Sequence, residues 1–218
     1  MTTIAEQVNE MKAGAAARLP AQVMAVFAAD QVALADAGIP ADAVSVGDQI
    51  PPFALADASG QTRTLEELTA EGPAVIVFYR GGWCPYCNIA LRTYQRELLP
   101  HLGEHSARLV AISPETPDAS LSTQEKAELS YAVLSDTGAE LASSLGITFE
   151  PSEQGLAAQR ELGIDIRSTR ADGATTLPMP TVLIVDRDRV VRFADISPDY
   201  TGRTEVSQIL TALQALES

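Results

Sequence analysis

The sequence predicts an α/β fold: a mixed central sheet flanked by helices, with a helical extension at the N-terminus. Three observations predict it. Residues 74–79, 108–113 and 182–186 are short, mostly apolar runs, the pattern of strands buried on both faces. Stretches with helical spacing lie between the first two runs and after the second, as crossover helices between parallel strands require. The last run turns through Asp186–Arg189 into Val190–Ala194, so the sheet ends in an antiparallel hairpin.

The elements follow in order. Residues 3–17 and 20–37 are Ala-rich, and Ile4, Val8 and Met11, then Val23, Val26 and Phe27, keep helical spacing. Gly38-Ile39-Pro40 ends the second helix. These residues, 1–43, form the N-terminal helical extension, which either covers core surface or serves as a dimerisation arm. The main domain spans 44–218. Thr64, with Glu67 three residues on, opens a short helix over Leu65–Leu68 through a capping box. The strand Ala74–Tyr79 leads through Arg80-Gly81-Gly82 into a helix that starts at Pro85 and runs to about Pro100. Arg108–Ser113 is the second strand, and the loop Pro114–Pro117 at its end is placed to line a site. A helix near 120–128, a strand near 131–134 and a helix over 137–145 come next. Leu156, Leu162, Ile164 and Ile166 mark a short helix and an apolar anchor, and Ser168–Thr176 reads as a mobile loop. Val206, Ile209, Leu210, Leu213 and Leu216 share one face of a closing helix.

Composition narrows the function. An apolar share of 46% supports a real core, and a net charge of −14 argues against nucleic-acid and anionic-membrane partners. No stretch approaches the 18 apolar residues of a membrane span. The first residues lack a basic flank and an apolar signal core, so a cytoplasmic location is expected. In that compartment a C-x-x-C pair is catalytic more often than structural.

Both cysteines of the chain, Cys84 and Cys87, lie in one strand–turn–helix. Cys84 falls at the helix N-cap, where free N–H groups and the helix dipole favour a thiolate. Cys87, one turn in, shares a face with Leu91, Tyr94 and Leu98. This predicts an exposed, low-pKa nucleophile at Cys84 and a more buried resolving thiol at Cys87. A zinc site would need further ligands. The two histidines, His101 and His105, sit about 20 Å along the same helix at 1.5 Å per residue, so no metal is expected.

Three stretches carry a family resemblance over residues 44–216: Val46-Gly47-Asp48 with Pro52-Phe53 and Asp57; Phe78 through Cys87; and Pro180-Thr181 before the strand ending in Asp186. They resemble the thioredoxin superfamily, specifically its AhpC/TSA or peroxiredoxin-like redoxin branch. The resemblance implies a thioredoxin-like fold, a cis Pro180 beside the nucleophile, and Met179 offering backbone groups to substrate. It also implies no cofactor beyond a redox-active Cys84–Cys87 disulfide. Peroxiredoxins hold peroxide with a proline, a threonine and an arginine around their cysteine. Aligned without gaps, these fall on Arg80, Cys84 and Pro180, and the cysteine on Cys87. The run Trp83-Cys84-Pro85-Tyr86-Cys87 resembles thioredoxins and glutaredoxins instead, with Cys84 as nucleophile.

The function expected from this resemblance is a thiol-dependent peroxidase for hydrogen peroxide or organic hydroperoxides. Its disulfide would be re-reduced by thioredoxin, glutaredoxin or a similar dithiol, and a homodimer is possible. Tyr79, Arg80 and Trp83 are the substrate-orienting candidates, although Tyr79 and Trp83 equally suit core packing. The alternatives are a protein disulfide oxidoreductase that binds its substrate at Met179-Pro180, or a redox-sensing module without turnover.

Overall fold

The computed structural model describes residues 2–216. Its centre is β3 (Ala74–Phe78), buried at every position. Successive side chains of a strand point to opposite faces. Val75, Val77 and the following Tyr79 therefore enter one core with both cysteines, Leu91 and Tyr94. Ala74, Ile76 and Phe78 enter the other with Ile50, Leu65 and Leu134. That double burial explains the uninterrupted apolar run.

Seven strands form the mixed sheet in the order β2-β1-β5-β4-β3-β8-β9. Strand β3 runs parallel to β4 (Arg108–Ser113), which runs parallel to β5 (Ala132–Ser135). On its other side β3 is antiparallel to β8 (Thr181–Val185), with Phe78 opposite Thr181, and β8 forms the expected hairpin with β9 (Val191–Ile196). A hairpin of β1 (Ala54–Asp57) and β2 (Thr62–Thr64) adds to β5. Strands β6 (Thr148–Phe149) and β7 (Leu177–Pro178) pair separately.

The N-terminal helices α1 (Ile4–Ala16) and α2 (Ala21–Ala37) are present. Ile4 and Val8 of α1 enter the core that holds the cysteines. The Glu205 carboxylate accepts from the N–H groups of Ile4 and Ala5, at 3.0 and 2.8 Å, and so ties the α1 N-terminus to the chain before the closing helix. The remaining helices are α3 (Leu65–Thr69), with the Thr64–Glu67 capping box in place, α4 (Pro85–Thr93), α5 (Pro117–Ala127), α6 (Glu140–Ser144), α7 (Glu153–Glu161) and α8 (Val206–Ala215).

Four expectations need correction. The cysteine helix does not stay α-helical to Pro100. It widens into a π turn over Tyr94–Leu98, where Leu99 N–H bonds to Tyr94 O, and tightens to 3₁₀ over Leu99–His105. Pro100 has no N–H for an α-helical bond, and the altered turns absorb that gap. The helix expected over 137–145 starts later, because Gly138 takes φ +83° and Ala139 lies in the left-handed region. Ser168–Thr176 is pinned rather than loose: the buried Arg170 guanidinium pairs with Asp172 and donates to Thr176 O. Finally, no peptide bond is cis among the described residues, so the Met179–Pro180 bond is trans. Met179 N–H bonds to Ile147 O at 2.7 Å and Pro180 O accepts from Ser197 N–H at 2.9 Å, which carries the chain extended from β7 into β8.

Candidate active site

The site grows out of the turn between β3 and α4. Gly81 takes φ +152°, and a Cβ on Gly82 would lie 2.0 Å from Thr123 Oγ1, so the two glycines let the chain fold tightly against α5. Gly82 N–H donates to Glu115 Oε2 at 2.8 Å, and Gly82 O accepts from Asn88 Nδ2 at 2.9 Å. Glu115 comes from the loop after β4, the loop expected beside the cysteines. Cys84 is the N-cap of α4 with Pro85 next, and Cys84 Sγ accepts from Cys87 N–H at 3.4 Å.

Cys84 is not exposed. Both thiols are free and buried, Cys84 at 0% and Cys87 at 1% exposure. The segment before α8 lies across the turn and closes it. Arg203 from that segment places Nη2 at 3.1 Å from Cys87 Sγ and 3.8 Å from Cys84 Sγ. Its Nη1 donates to Tyr200 O at 2.8 Å and to Gly202 O, which fixes the guanidinium. The Arg80 guanidinium stacks over the rings of Trp83 and Tyr200, at 4.8 and 4.3 Å.

Burial by itself would push the Cys84 thiol up. The hydrogen bond from Cys87, the charges of Arg80 and Arg203 and the Cys87 N–H outweigh it and hold Cys84 well below its ordinary value. Cys87 moves the other way. Burial, its hydrogen bond to Cys84 and the charge on Cys84 raise it. The two thiols are thus pushed apart, Cys84 toward ionisation and Cys87 toward its neutral form. Glu115 is raised by burial, against the hydrogen bond from Gly82 N–H.

This fold is shared with known proteins. The chain matches the AhpC/TSA family over residues 46–194. The chain belongs to the AhpC/TSA family. A putative peroxiredoxin of Mycobacterium tuberculosis is 25% identical over 176 residues, covering 80% of this chain and 99% of its own. The crystal structure of peroxidoxin BcpB from Mycobacterium tuberculosis superposes with a TM-score of 0.62 at 23% identity, over 80% of this chain and 99% of that one. A peroxiredoxin-like protein from Aquifex aeolicus gives 0.62 at 15%, over 80% and 88%. Membership makes the protein an oxidoreductase of the thiol-peroxidase class, whose redox centre is cysteine.

Against that AhpC/TSA frame, the sequence-predicted residues divide. Cys84, Cys87, Arg80 and Trp83 come together at the turn. Tyr79 and Pro180 line a small void with Cys87 and Arg203, on the inner side of the pair. Met179 does not join them. Its side chain packs in the opposite core, its N–H is bonded to Ile147 and its carbonyl accepts from Thr181 Oγ1 at 2.9 Å. Arg203 was not foreseen, Glu115 was foreseen only through its loop Pro114–Pro117, and Tyr200 not at all. They lie 119, 31 and 116 residues from Cys84 in sequence, and no motif surrounds them. Among the described residues, no cluster of three or more His, Cys, Asp or Glu is arranged to hold a metal, and no helix is long and apolar enough to cross a membrane.

Proposed function

We propose that the protein reduces hydroperoxides at Cys84 and resolves the product with Cys87. The observation that carries this is the asymmetry of the pair. Cys84 Sγ caps the start of α4 and accepts from Cys87 N–H, which with Arg80 and Arg203 lowers its titration. Cys87, although Arg203 Nη2 lies nearer to it at 3.1 Å, is raised by burial and by its bond to Cys84. The Cys84 thiolate attacks the terminal peroxide oxygen. The O–O bond breaks, the remaining oxygen leaves with a proton as alcohol or water, and Cys84 becomes a sulfenic acid. The Cys87 sulfur then displaces hydroxide from it, releasing water and forming the Cys84–Cys87 disulfide. An external dithiol such as thioredoxin or glutaredoxin reduces that disulfide and is itself oxidised. Arg203 and Arg80 stabilise the thiolate and offer donors to the charge that develops on the departing oxygen. A cytoplasmic setting and a homodimer belong to the same reading.

Disulfide reduction is the second reading. The replaced peroxide-binding positions favour it, but Met179, its expected substrate contact, has both backbone groups engaged.

The test is peroxide consumption by the reduced protein with a thioredoxin system, in wild type and Cys84→Ser. Turnover abolished by the substitution supports the proposal. Turnover that survives transfers the first step to Cys87, and no turnover in wild type rejects the peroxidase reading.

A further inference from the structure

A cavity of about 260 Å³ lies between the N-terminal helices and the cysteine turn. Ala15 of α1 and Ala28 of α2 line it from the extension, and Trp83 and Tyr200 line it from the main domain. Most of the lining is apolar. Its charged members are two cations, Lys12 and Arg80, and no carboxylate lines it, although the chain carries a net charge of −14. Neither cysteine reaches this space.

Arg80 is the anomaly. It is 5% exposed, and a buried arginine is almost always paired. Among the described residues its guanidinium forms no hydrogen bond and no ion pair. The rings of Trp83 and Tyr200 occupy its flat faces, which offsets part of the lost hydration. Ring stacking gives no acceptor to the N–H donors on its edge. Nε is shut off altogether, so the Nη donors are those left for a ligand. Lys12, half-buried on α1, also has no carboxylate partner among the described residues.

We infer that this cavity binds an apolar monocarboxylate as an effector, its carboxylate held by Arg80 and Lys12 and its hydrocarbon part beneath α1 and α2. A guanidinium edge matches a carboxylate in shape and charge. A dry apolar cavity of about 150 Å³ accepts benzene, so by the same ratio this one holds about ten carbon atoms. The helices that roof the site lie outside the matched residues 46–194. The bound carboxylate offsets the Arg80 charge, which now favours ionised Cys84, and so raises the Cys84 titration and slows its attack. Cys84 also feels Cys87 and Arg203, and its own charge acts on Tyr86 and Glu115. Of these groups and Arg80, only Arg80 brings a charge to the cavity wall. The inference holds for any reaction that the Cys84 thiolate begins, whether or not the substrate is a peroxide.

Trp83 is the single tryptophan of the chain and stacks on Arg80, so its fluorescence reports occupancy without turnover. The experiment titrates the reduced protein with octanoate, and with 1-octanol as the uncharged control. Wild type, Arg80→Met, Lys12→Met and Ala28→Phe are compared, the changes lying on three separate elements so that one misfolded variant does not remove the test. Octanoate should give a saturable change in wild type and bind roughly tenfold more tightly than 1-octanol. Arg80→Met should bring octanoate down to the affinity of 1-octanol, Lys12→Met should weaken octanoate alone, and Ala28→Phe should weaken both probes. Saturating octanoate should also move the thiolate absorbance of the wild type to higher pH. No saturable change in wild type, equal affinity for the two probes, or a thiolate titration that octanoate leaves unmoved overturns the inference. Octanoate binding that survives every folded variant overturns it as well. Octanoate binding with the shifted titration, in a protein that turns over no peroxide, supports the effector site and rejects the peroxidase reading alone.

Discussion

Arg203→Met is the substitution that most directly probes the electrostatics of the pair. Arg203 Nη2 lies 3.8 Å from Cys84 Sγ. At an effective dielectric of about 20, a unit charge pair at that separation interacts by roughly 4 kcal/mol. Water drawn into the vacated space and the remaining charge of Arg80 return part of this, so a net loss of about 2 kcal/mol is expected, or roughly 30-fold in thiolate population. The assay is thiolate ultraviolet absorbance against pH, together with kcat/KM for peroxide below the variant's thiol titration. The titration should move to higher pH and kcat/KM should fall by about 30-fold at fixed pH, recovering when pH is raised. Arg203→Lys, which keeps the charge but loses the fixed fork, should restore much of the titration. An unmoved titration in Arg203→Met, with the fold intact by circular dichroism, would refute the argument that this guanidinium holds the thiolate.

Three further outcomes are expected. Gly82→Ala places a Cβ 2.0 Å from Thr123 Oγ1 and crowds the turn against α5, so it should destabilise by about 1–3 kcal/mol and lower Tm by several degrees in a thermal melt. Asp136→Ala strips the carboxylate that accepts from Leu141 and Ala142 N–H, at 3.0 Å each, and leaves two buried donors at the start of α6; denaturant unfolding should show a loss of about 2 kcal/mol. The stability of the reduced protein should rise with pH from the depressed Cys84 titration up to 9.0, the ordinary thiol value. In that window folded Cys84 is ionised while the unfolded chain still binds its proton, so the unfolded state carries more protons and unfolding grows costlier as pH increases. Cys84→Ser should flatten that rise, and a slope identical in wild type and variant would contradict the depressed Cys84 titration.

The α/β fold was legible in local sequence, because β3 is apolar at every position and only a strand covered on both faces needs that. The N-cap position of Cys84 was legible too, since a proline after a cysteine at a strand's end starts the helix there. Capping signals were equally local: Thr64 and Glu67 lie three residues apart and find each other in α3. Everything supplied across the chain had to come from the folded arrangement. Arg203 and Tyr200 reach the turn from the segment before α8 and Glu115 from the loop after β4, and the polar neighbourhoods of the first two read alike with or without a site. The burial of Cys84 is of the same kind, because a helix N-cap says which way a sulfur faces and not which later segment will cover it. The trans bond before Pro180 is also non-local. Sequence permits either isomer there, and the hydrogen bonds of Met179 to Ile147 and of Pro180 to Ser197 hold the extended chain.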